Sequence, residues 1–150
     1  MGLLALTSCV SASEPGSTRP PPTSLNPRDP LAYAALIVRE TNDARVANRL
    51  AKLGSSTCAQ TAALQRAKDL IGKPKLTHAP LDGVISACAP STTAAENLSR
   101  ASTRPAAVID AWMHSPGHRS NLLDPALTQI GVGCVLDGRS MLCSQVFLGP

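Results

Sequence analysis

The stretch that decides the fold runs from residue 112 to 123 and reads Trp-Met-His-Ser-Pro-Gly-His-Arg-Ser-Asn-Leu-Leu, and Ile-Gly-Val-Gly-Cys follows at 130–134. Ser115 followed by Pro116 is typical of a helix start, because serine caps the first turn and proline fits the first helical position. This corner places His118 on the first turn of a new helix. The stretch therefore predicts a helix ending near Trp112, a short helix that presents one imidazole, and a strand interrupted by glycines.

Upstream of this stretch the chain reads as helical. Asp29-Pro30 predicts a helix start. Apolar residues follow at helical spacing: Leu31, Ala35, Val38, Val46, Leu50 and Leu53. Asn42 interrupts that stripe, so we expect its amide to have a specific hydrogen-bond partner. A second helix is predicted over 57–72 and a third over 103–112, with Trp112 facing inward.

The other segments read as turns and strands. A turn-rich stretch is predicted over 75–93, a short strand over 96–100, and a closing β-hairpin over 129–136 and 141–148 with its turn at Asp137-Gly138. Helices first, interleaved strands and a closing hairpin predict an α+β fold, in which helices pack on a small antiparallel sheet.

Five cysteines in a chain of 150 residues are typical of an oxidising compartment. If the closing hairpin has a four-residue loop, Cys134 lies directly opposite Cys143, where a disulfide can form. Elimination then pairs Cys58 with Cys88. Metal ligation by the thiols is the alternative, although the chain has no Cys-x-x-Cys motif.

Two short segments precede the domain. Residues 1–9 end in Leu-Thr-Ser-Cys, which is similar to the lipobox of a bacterial lipoprotein signal, although no Lys or Arg comes before it. We expect Cys9 to be acylated and to anchor the chain to a membrane, while a free thiol in a tail is the alternative. Residues 10–29 are rich in Pro, Ser and Thr and predict an extended linker, which leaves 30–150 as the domain.

Composition limits the partners. The net charge of +4 comes from scattered Arg and Lys, and the chain has one Trp, one Tyr and one Phe. Nucleic-acid-binding proteins typically show a clustered basic face with stacking aromatic residues, so we expect no nucleic-acid partner. No apolar run reaches the length needed to span a bilayer. We expect a monomer.

Several motifs occur in a fixed order between residues 30 and 148. They are Asn42-x-x-Arg45, His78 with Asp82-Gly83, Glu96-Asn97, Trp112-Met113, Ser115-Pro116-Gly117-His118-Arg119 and Gly131-Val132-Gly133. Together they resemble the CAP superfamily (cysteine-rich secretory proteins, antigen 5 and pathogenesis-related 1 proteins) in its short bacterial, SCP-like form. The resemblance implies an α-β-α sandwich. It also implies secretion, or anchoring at the outer face of the bacterial cytoplasmic membrane or cell envelope.

The resemblance also implies a cleft. Its lining residues would be His78, Asp82, Glu96, Asn97, His118 and Arg119. In some members two histidines and two acids hold zinc or another divalent metal, and these map to His78, Glu96 and His118. The second acid of many members falls on Ile85 here, so Asp82 is the candidate replacement.

Each candidate residue also has a purely structural interpretation. His78 reads equally as a surface residue, His118 as a partner for backbone groups at a helix start, and Glu96 as a buried acid that holds a loop. Ser99, Ser120 and Ser144 lack the Gly-x-Ser-x-Gly setting of a hydrolase nucleophile.

Three functions therefore stay open. The first is a module that binds a lipid or another cell-envelope component, with or without a divalent metal. The second is a metal-assisted hydrolase that uses His78, Glu96 and His118 as catalytic residues. The third is a structural or partner-binding surface protein whose cleft is vestigial.

Overall fold

A computed structural model describes residues 28–150, and it contains five helices and four strands in that range. The helices are α1 (Pro30–Ala47), α2 (Thr57–Asp69), α3 (Asp82–Ala87), α4 (Pro105–Met113) and α5 (Pro116–Leu122). The strands are β1 (Gly54–Ser55), β2 (Thr93–Ala101), β3 (Gln129–Asp137) and β4 (Ser140–Gly149).

The helix starts follow the local chemistry of the sequence. Asp29 caps α1, because its carboxylate accepts the N–H groups of Leu31 and Ala32. Ser56, one residue before the predicted start, caps α2 by accepting the N–H of Ala59. Ser115 occupies the N-cap of α5, as predicted, but its hydroxyl makes no cap hydrogen bond.

The four strands form one sheet in the order β1-β3-β4-β2. β4 pairs antiparallel with both β2 and β3, whereas the two-residue β1 pairs parallel with β3. In the closing hairpin Cys134 lies opposite Cys143, and the two form a disulfide with a Cα–Cα distance of 4.2 Å. The predicted hairpin register is therefore confirmed, and so is the second predicted disulfide, Cys58–Cys88.

Helices cover both faces of this sheet. On one face α1, α4 and α5 bury Ile37, Trp112 and Leu122 in the same cluster as Phe147 of β4. On the other face α2 and α3 enclose a smaller cluster that includes Ala63 and Val146 of β4. The arrangement is the predicted α-β-α sandwich of the α+β class, because successive residues of β4 point to opposite faces.

The face of α1 that packs inward differs from the predicted one. Leu31 is 71% exposed and Val46 is 51% exposed. The buried residues are Tyr33, Ala34, Ile37, Thr41 and Arg45. Thr41 and Arg45 can be buried because each forms hydrogen bonds in the interior. The spacing of apolar residues gives no indication of such hydrogen bonds.

Arg45 and Asn42 connect the end of α1 to distant loops. Arg45 is 2% exposed, and its guanidinium donates to the carbonyl groups of Ala51, Leu122, Asp124 and Leu127. The Asn42 amide makes two hydrogen bonds with the backbone of Leu53, at 2.8 and 3.2 Å. The expected partner of Asn42 is thus a backbone segment rather than a ligand.

The turn-rich stretch between α2 and β2 contains α3, which the sequence did not predict. Six residues give too little periodicity to recognise, and the Cys58–Cys88 disulfide joins the end of this short helix to the start of α2.

Within residues 28–150, no helix combines the length and apolar character that crossing a membrane requires. The predicted signal over 1–9, Cys9 and the linker up to residue 27 lie outside the described residues.

Candidate functional site

The carboxylate of Glu96 is the centre of the site. Glu96 lies on β2, its side chain is 2% exposed, and three other side chains contact its two oxygens. Arg66 of α2 donates to both, with Nε–Oε1 at 2.6 Å and Nη2–Oε2 at 2.9 Å. The Ser144 hydroxyl donates to Oε1 at 2.7 Å, and His78 Nδ1 lies 2.7 Å from Oε2.

These contacts keep Glu96 ionised. Burial alone would raise the pKa of the Glu96 carboxyl, but hydrogen bonds from Arg66, Ser144 and His78, together with the Arg66 charge, outweigh burial and lower its pKa below the ordinary 4.5. Because an ionised carboxylate only accepts hydrogen bonds, Nδ1 of His78 carries the proton that it shares with Oε2. In the neutral imidazole Nε2 is then an acceptor, and the His78 side chain is 56% exposed.

Arg66 also holds the loop that carries His78. Its guanidinium donates to the carbonyl groups of Ala79 at 2.8 Å and Pro80 at 3.2 Å. The hydrogen bond to Glu96 is the main reason that the pKa of Arg66 is raised, although burial opposes it. One arginine thus fixes both the acid and the backbone that follows His78.

His118 lies on the first turn of α5, as the Ser-Pro corner predicts. Its Nδ1 is 2.9 Å from the Ser115 hydroxyl, and its ring centroid is 6.0 Å from that of Trp112. Burial lowers the pKa of His118, and charge on His78 lowers it further. His118 makes no hydrogen bond to Glu96, so of the two histidines only His78 contacts this acid.

Asn97 follows Glu96 on β2 and contacts α5 through the backbone of His118. Consecutive residues of a strand point to opposite faces, so Asn97 points away from the side on which Glu96 meets Arg66. Asn97 is completely buried, and its amide donates to the carbonyl of His118 at 3.3 Å and to Gln145 Oε1 at 3.2 Å. Asn97 therefore positions α5 and does not line the cleft.

Asp82 and Arg119, the two other predicted cleft residues, do not join the cluster. Asp82 starts α3 and is exposed, and Arg119 is exposed on α5. Within the described part of the chain neither side chain forms a hydrogen bond or ion pair with Glu96 or His78. A role for Asp82 as the second acid stays a prediction from the sequence.

Two residues of the cluster were not predicted as members. Arg66 lies on α2 beside the buried alanines 59, 63 and 67. A cation next to such a buried stripe is the one sequence feature that could have identified Arg66 as a member of the cluster. Ser144 is completely buried, so its hydroxyl serves Glu96 and is out of reach of a substrate.

A groove of about 450 Å³ opens above Glu96 and His78. Its walls are chemically mixed. The apolar part includes Leu70, Pro74 and Ala79, and the polar part includes Arg66, Asp69, Lys73, Lys75 and Thr77. An exposed imidazole acceptor beside apolar and cationic walls can bind a ligand that has both hydroxyl or amide groups and an apolar part.

A three-ligand metal site does not fit this arrangement well. Both oxygens of Glu96 already accept hydrogen bonds, and the Arg66 guanidinium would repel a dication. Among residues 28–150 no group of three or more His, Cys, Asp or Glu side chains is placed to hold a metal ion. Zinc binding by His78, Glu96 and His118 stays a prediction from the sequence.

Known proteins share both the sequence pattern and the fold. The chain is 31% identical over 146 residues to the uncharacterised protein YkwD of Bacillus subtilis, an alignment that includes 93% of this chain and 54% of YkwD. The chain thus spans about half the length of that relative.

Several solved structures have a fold similar to that of this chain. An extracellular protein with an SCP domain from Bacillus anthracis is similar at 25% identity and a TM-score of 0.70, over 80% of this chain and 41% of that one. A cysteine-rich secretory protein of Staphylococcus aureus shows the same fold at 22% identity and a TM-score of 0.72, over 81% of this chain and 40% of that one. An outer surface protein of Borrelia burgdorferi also shares the fold, at 18% identity and a TM-score of 0.73, over 81% of this chain and 95% of that one.

The model of the cysteine-rich secretory protein family matches residues 38–147, which include His78, Glu96 and His118. On this match and the sandwich fold, the chain belongs to the CAP family of cysteine-rich secretory proteins.

Proposed function

We propose that this protein is an extracytoplasmic ligand-binding module, and that a lipid or another cell-envelope component occupies the groove above His78 and Glu96. The hydrogen bond between His78 and Glu96 carries the proposal, because a buried carboxylate held by Arg66 and Ser144 fixes a half-exposed imidazole at the wall of an open groove. Such a fixed polar group among apolar contacts orients a ligand.

The extracytoplasmic location rests on two further observations. Both disulfides join cysteines that a reducing cytosol would keep as thiols. The related Bacillus anthracis protein is described as extracellular. We propose in addition that Cys9 is acylated and anchors the chain to a membrane. The test is to express the gene with its upstream codons and to measure the intact mass of the exported protein. An unmodified Cys9 thiol would contradict the anchor.

Hydrolysis is the second candidate, and the same hydrogen bond favours it. A carboxylate that orients an imidazole is the arrangement of a general-base pair, in which Nε2 of His78 would take a proton from water. Ser144 is buried and Glu96 is held by Arg66, so water would have to be the nucleophile. Binding is the simpler proposal because it needs only the oriented imidazole and the walls of the groove.

A titration monitored by amide chemical shifts tests the binding proposal. The probes are a soluble disaccharide-peptide fragment of peptidoglycan and sodium laurate, each added to the full chain. We expect one of them to give saturable shifts confined to residues 66–79 and 96. His78→Ala should weaken that binding by about tenfold, which corresponds to the loss of one oriented polar contact.

His114→Ala is the matched control, because His114 is an exposed histidine that pairs with Asp110 outside the groove. It should bind the probe like the parent protein. Shifts scattered over the surface, or equal weakening by both variants, would contradict the groove as the site. Consumption of the probe by the parent but not by His78→Ala would replace binding with hydrolysis. Zinc content of the parent and of His118→Ala tests the metal prediction separately.

A further inference from the structure

A second pocket, of about 600 Å³, lies where β2 ends and the β3–β4 hairpin turns, and it shares no lining residue with the groove above Glu96. Three arginines from three separate segments line it: Arg28 before α1, Arg104 before α4 and Arg139 in the hairpin turn. No acidic residue is among its lining residues within 28–150. We call it the arginine pocket.

The wall of the arginine pocket is fixed from two sides. The Tyr33 hydroxyl of α1 donates to the carbonyl of Thr103 at 2.8 Å. The Ser102 hydroxyl donates to the carbonyl of Arg139 at 3.4 Å and lies 3.1 Å from the Ser140 hydroxyl. These bonds join the loop before α4 to both α1 and the hairpin, so the backbone that carries Arg104 and Arg139 is preorganised.

The Arg104 and Arg139 side chains make no hydrogen bond or ion pair with any described residue. Asp137, the acid nearest to Arg139 in the chain, pairs instead with Arg100 at 2.8 Å. Arg104 is the N-cap residue of α4 and its side chain makes no cap hydrogen bond, so the positive end of the helix dipole adds to the field.

We propose that the arginine pocket binds an anion that carries a phosphate group. Guanidinium groups donate paired, parallel hydrogen bonds to phosphate oxygens, and two of them on a fixed backbone can hold one phosphate from two sides. Arg104 and Arg139 supply these donors. This site is independent of the ligand proposed for the groove.

Calorimetric titration of the full chain with inorganic phosphate at low salt tests the proposal. We expect saturable binding, and we expect the double variant Arg104→Gln/Arg139→Gln to weaken it by about tenfold or more. The matched control is Lys52→Gln/Lys68→Gln, which removes the same charge at two exposed positions outside the pocket. It should keep the affinity within about twofold.

Two results would overturn the site. One is the absence of saturable phosphate binding by the parent protein. The other is an equal loss in both double variants, which would mean that net charge alone attracts phosphate. Thermal unfolding of each variant checks that the fold is intact, which is expected because all four side chains are exposed.

Vesicles separate the two sources of the phosphate. The protein is sedimented with phosphatidylglycerol vesicles and, in parallel, with phosphatidylcholine vesicles. Cosedimentation with the former that is lost in Arg104→Gln/Arg139→Gln supports a lipid headgroup as the ligand. Phosphate binding without cosedimentation supports a soluble phosphate compound.

Discussion

A buried carboxylate stays ionised only where hydrogen bonds and an opposite charge replace the water that it has lost. Glu96 meets this condition through Arg66, Ser144 and His78. The family motifs contain the acid and the imidazole, but not the arginine and the serine. Arg66 reaches Glu96 from α2, and Ser144 reaches it from β4. No local pattern in the sequence indicates that these side chains lie next to Glu96 in space.

The effect of charge on His78 upon the pKa of His118 gives a prediction for single residues. We expect His118 to titrate below the ordinary 6.5, because burial and charge on His78 both lower its pKa. In His78→Ala the pKa of His118 should rise but stay below 6.5, since burial remains. The pKa of His118 is measured from imidazole C–H chemical shifts followed against pH. His114→Ala is the control and should leave His118 unchanged, and an unchanged pKa in His78→Ala would show that the two rings are too far apart to interact.

At the scale of elements, the position of α2 depends on two glycines of β3. A Cβ on Gly131 would lie 2.0 Å from the backbone nitrogen of Gln60, and one on Gly133 would lie 2.2 Å from that of Leu64. Backbone atoms cannot move aside as a flexible side chain can. The Gly-Val-Gly motif therefore lets α2 lie directly on the sheet, which brings Arg66 of α2 to Glu96 of β2.

This close approach predicts the effect of one methyl group. Gly133→Ala should lower the free energy of unfolding by about 3 kcal/mol, because α2 must move away from β3. It should also weaken the Arg66–Glu96 ion pair. Gly83→Ala is the matched control, since a Cβ there meets nothing within 4 Å and alanine favours the helical position. Urea denaturation of both variants measures the difference, and equal stabilities would contradict the close packing.

At the scale of the whole molecule, Glu96 connects parts of the chain that are far apart in sequence. Its carboxylate contacts α2 through Arg66, the loop before α3 through His78 and β4 through Ser144. Breaking a buried ion pair by removing one partner leaves the other charge uncompensated and costs about 3 kcal/mol or more. Loss of the Glu96 charge would thus leave Arg66 of α2 without its buried partner.

The stability of the protein should therefore depend on pH. The pKa of Glu96 is lower in the folded chain than the ordinary 4.5, so its contribution is complete above about pH 4.5 and is lost as the pH falls through the folded value. Glu96→Gln should be about 3 kcal/mol less stable at pH 7 and should lose less stability between about pH 5 and 3.

Urea denaturation at several pH values measures this dependence. Glu40→Gln is the control for the change in charge, because Glu40 pairs with Arg39, whose side chain is 63% exposed. Glu40→Gln should keep the pH dependence of the parent. A Glu96→Gln variant that loses as much stability in acid as the parent does would contradict the assignment to Glu96.

The sequence by itself determined the features that depend on neighbouring residues. Asp29-Pro30 and Ser115-Pro116 mark real helix starts, the hairpin register follows from its turn, and that register joins Cys134 to Cys143. Caps, turns and strand alternation act over a few residues, so a linear pattern contains the information that they need. The order of the motifs also identified the family.

Only the tertiary structure decided which distant groups meet. It selected the buried face of α1, where Thr41 and Arg45 pack inward, and it brought Arg66 to Glu96. It also gathered the arginines of the second pocket from three segments. Burial energies and charge interactions depend on distances through space, and those distances are fixed only when the helices pack on the sheet.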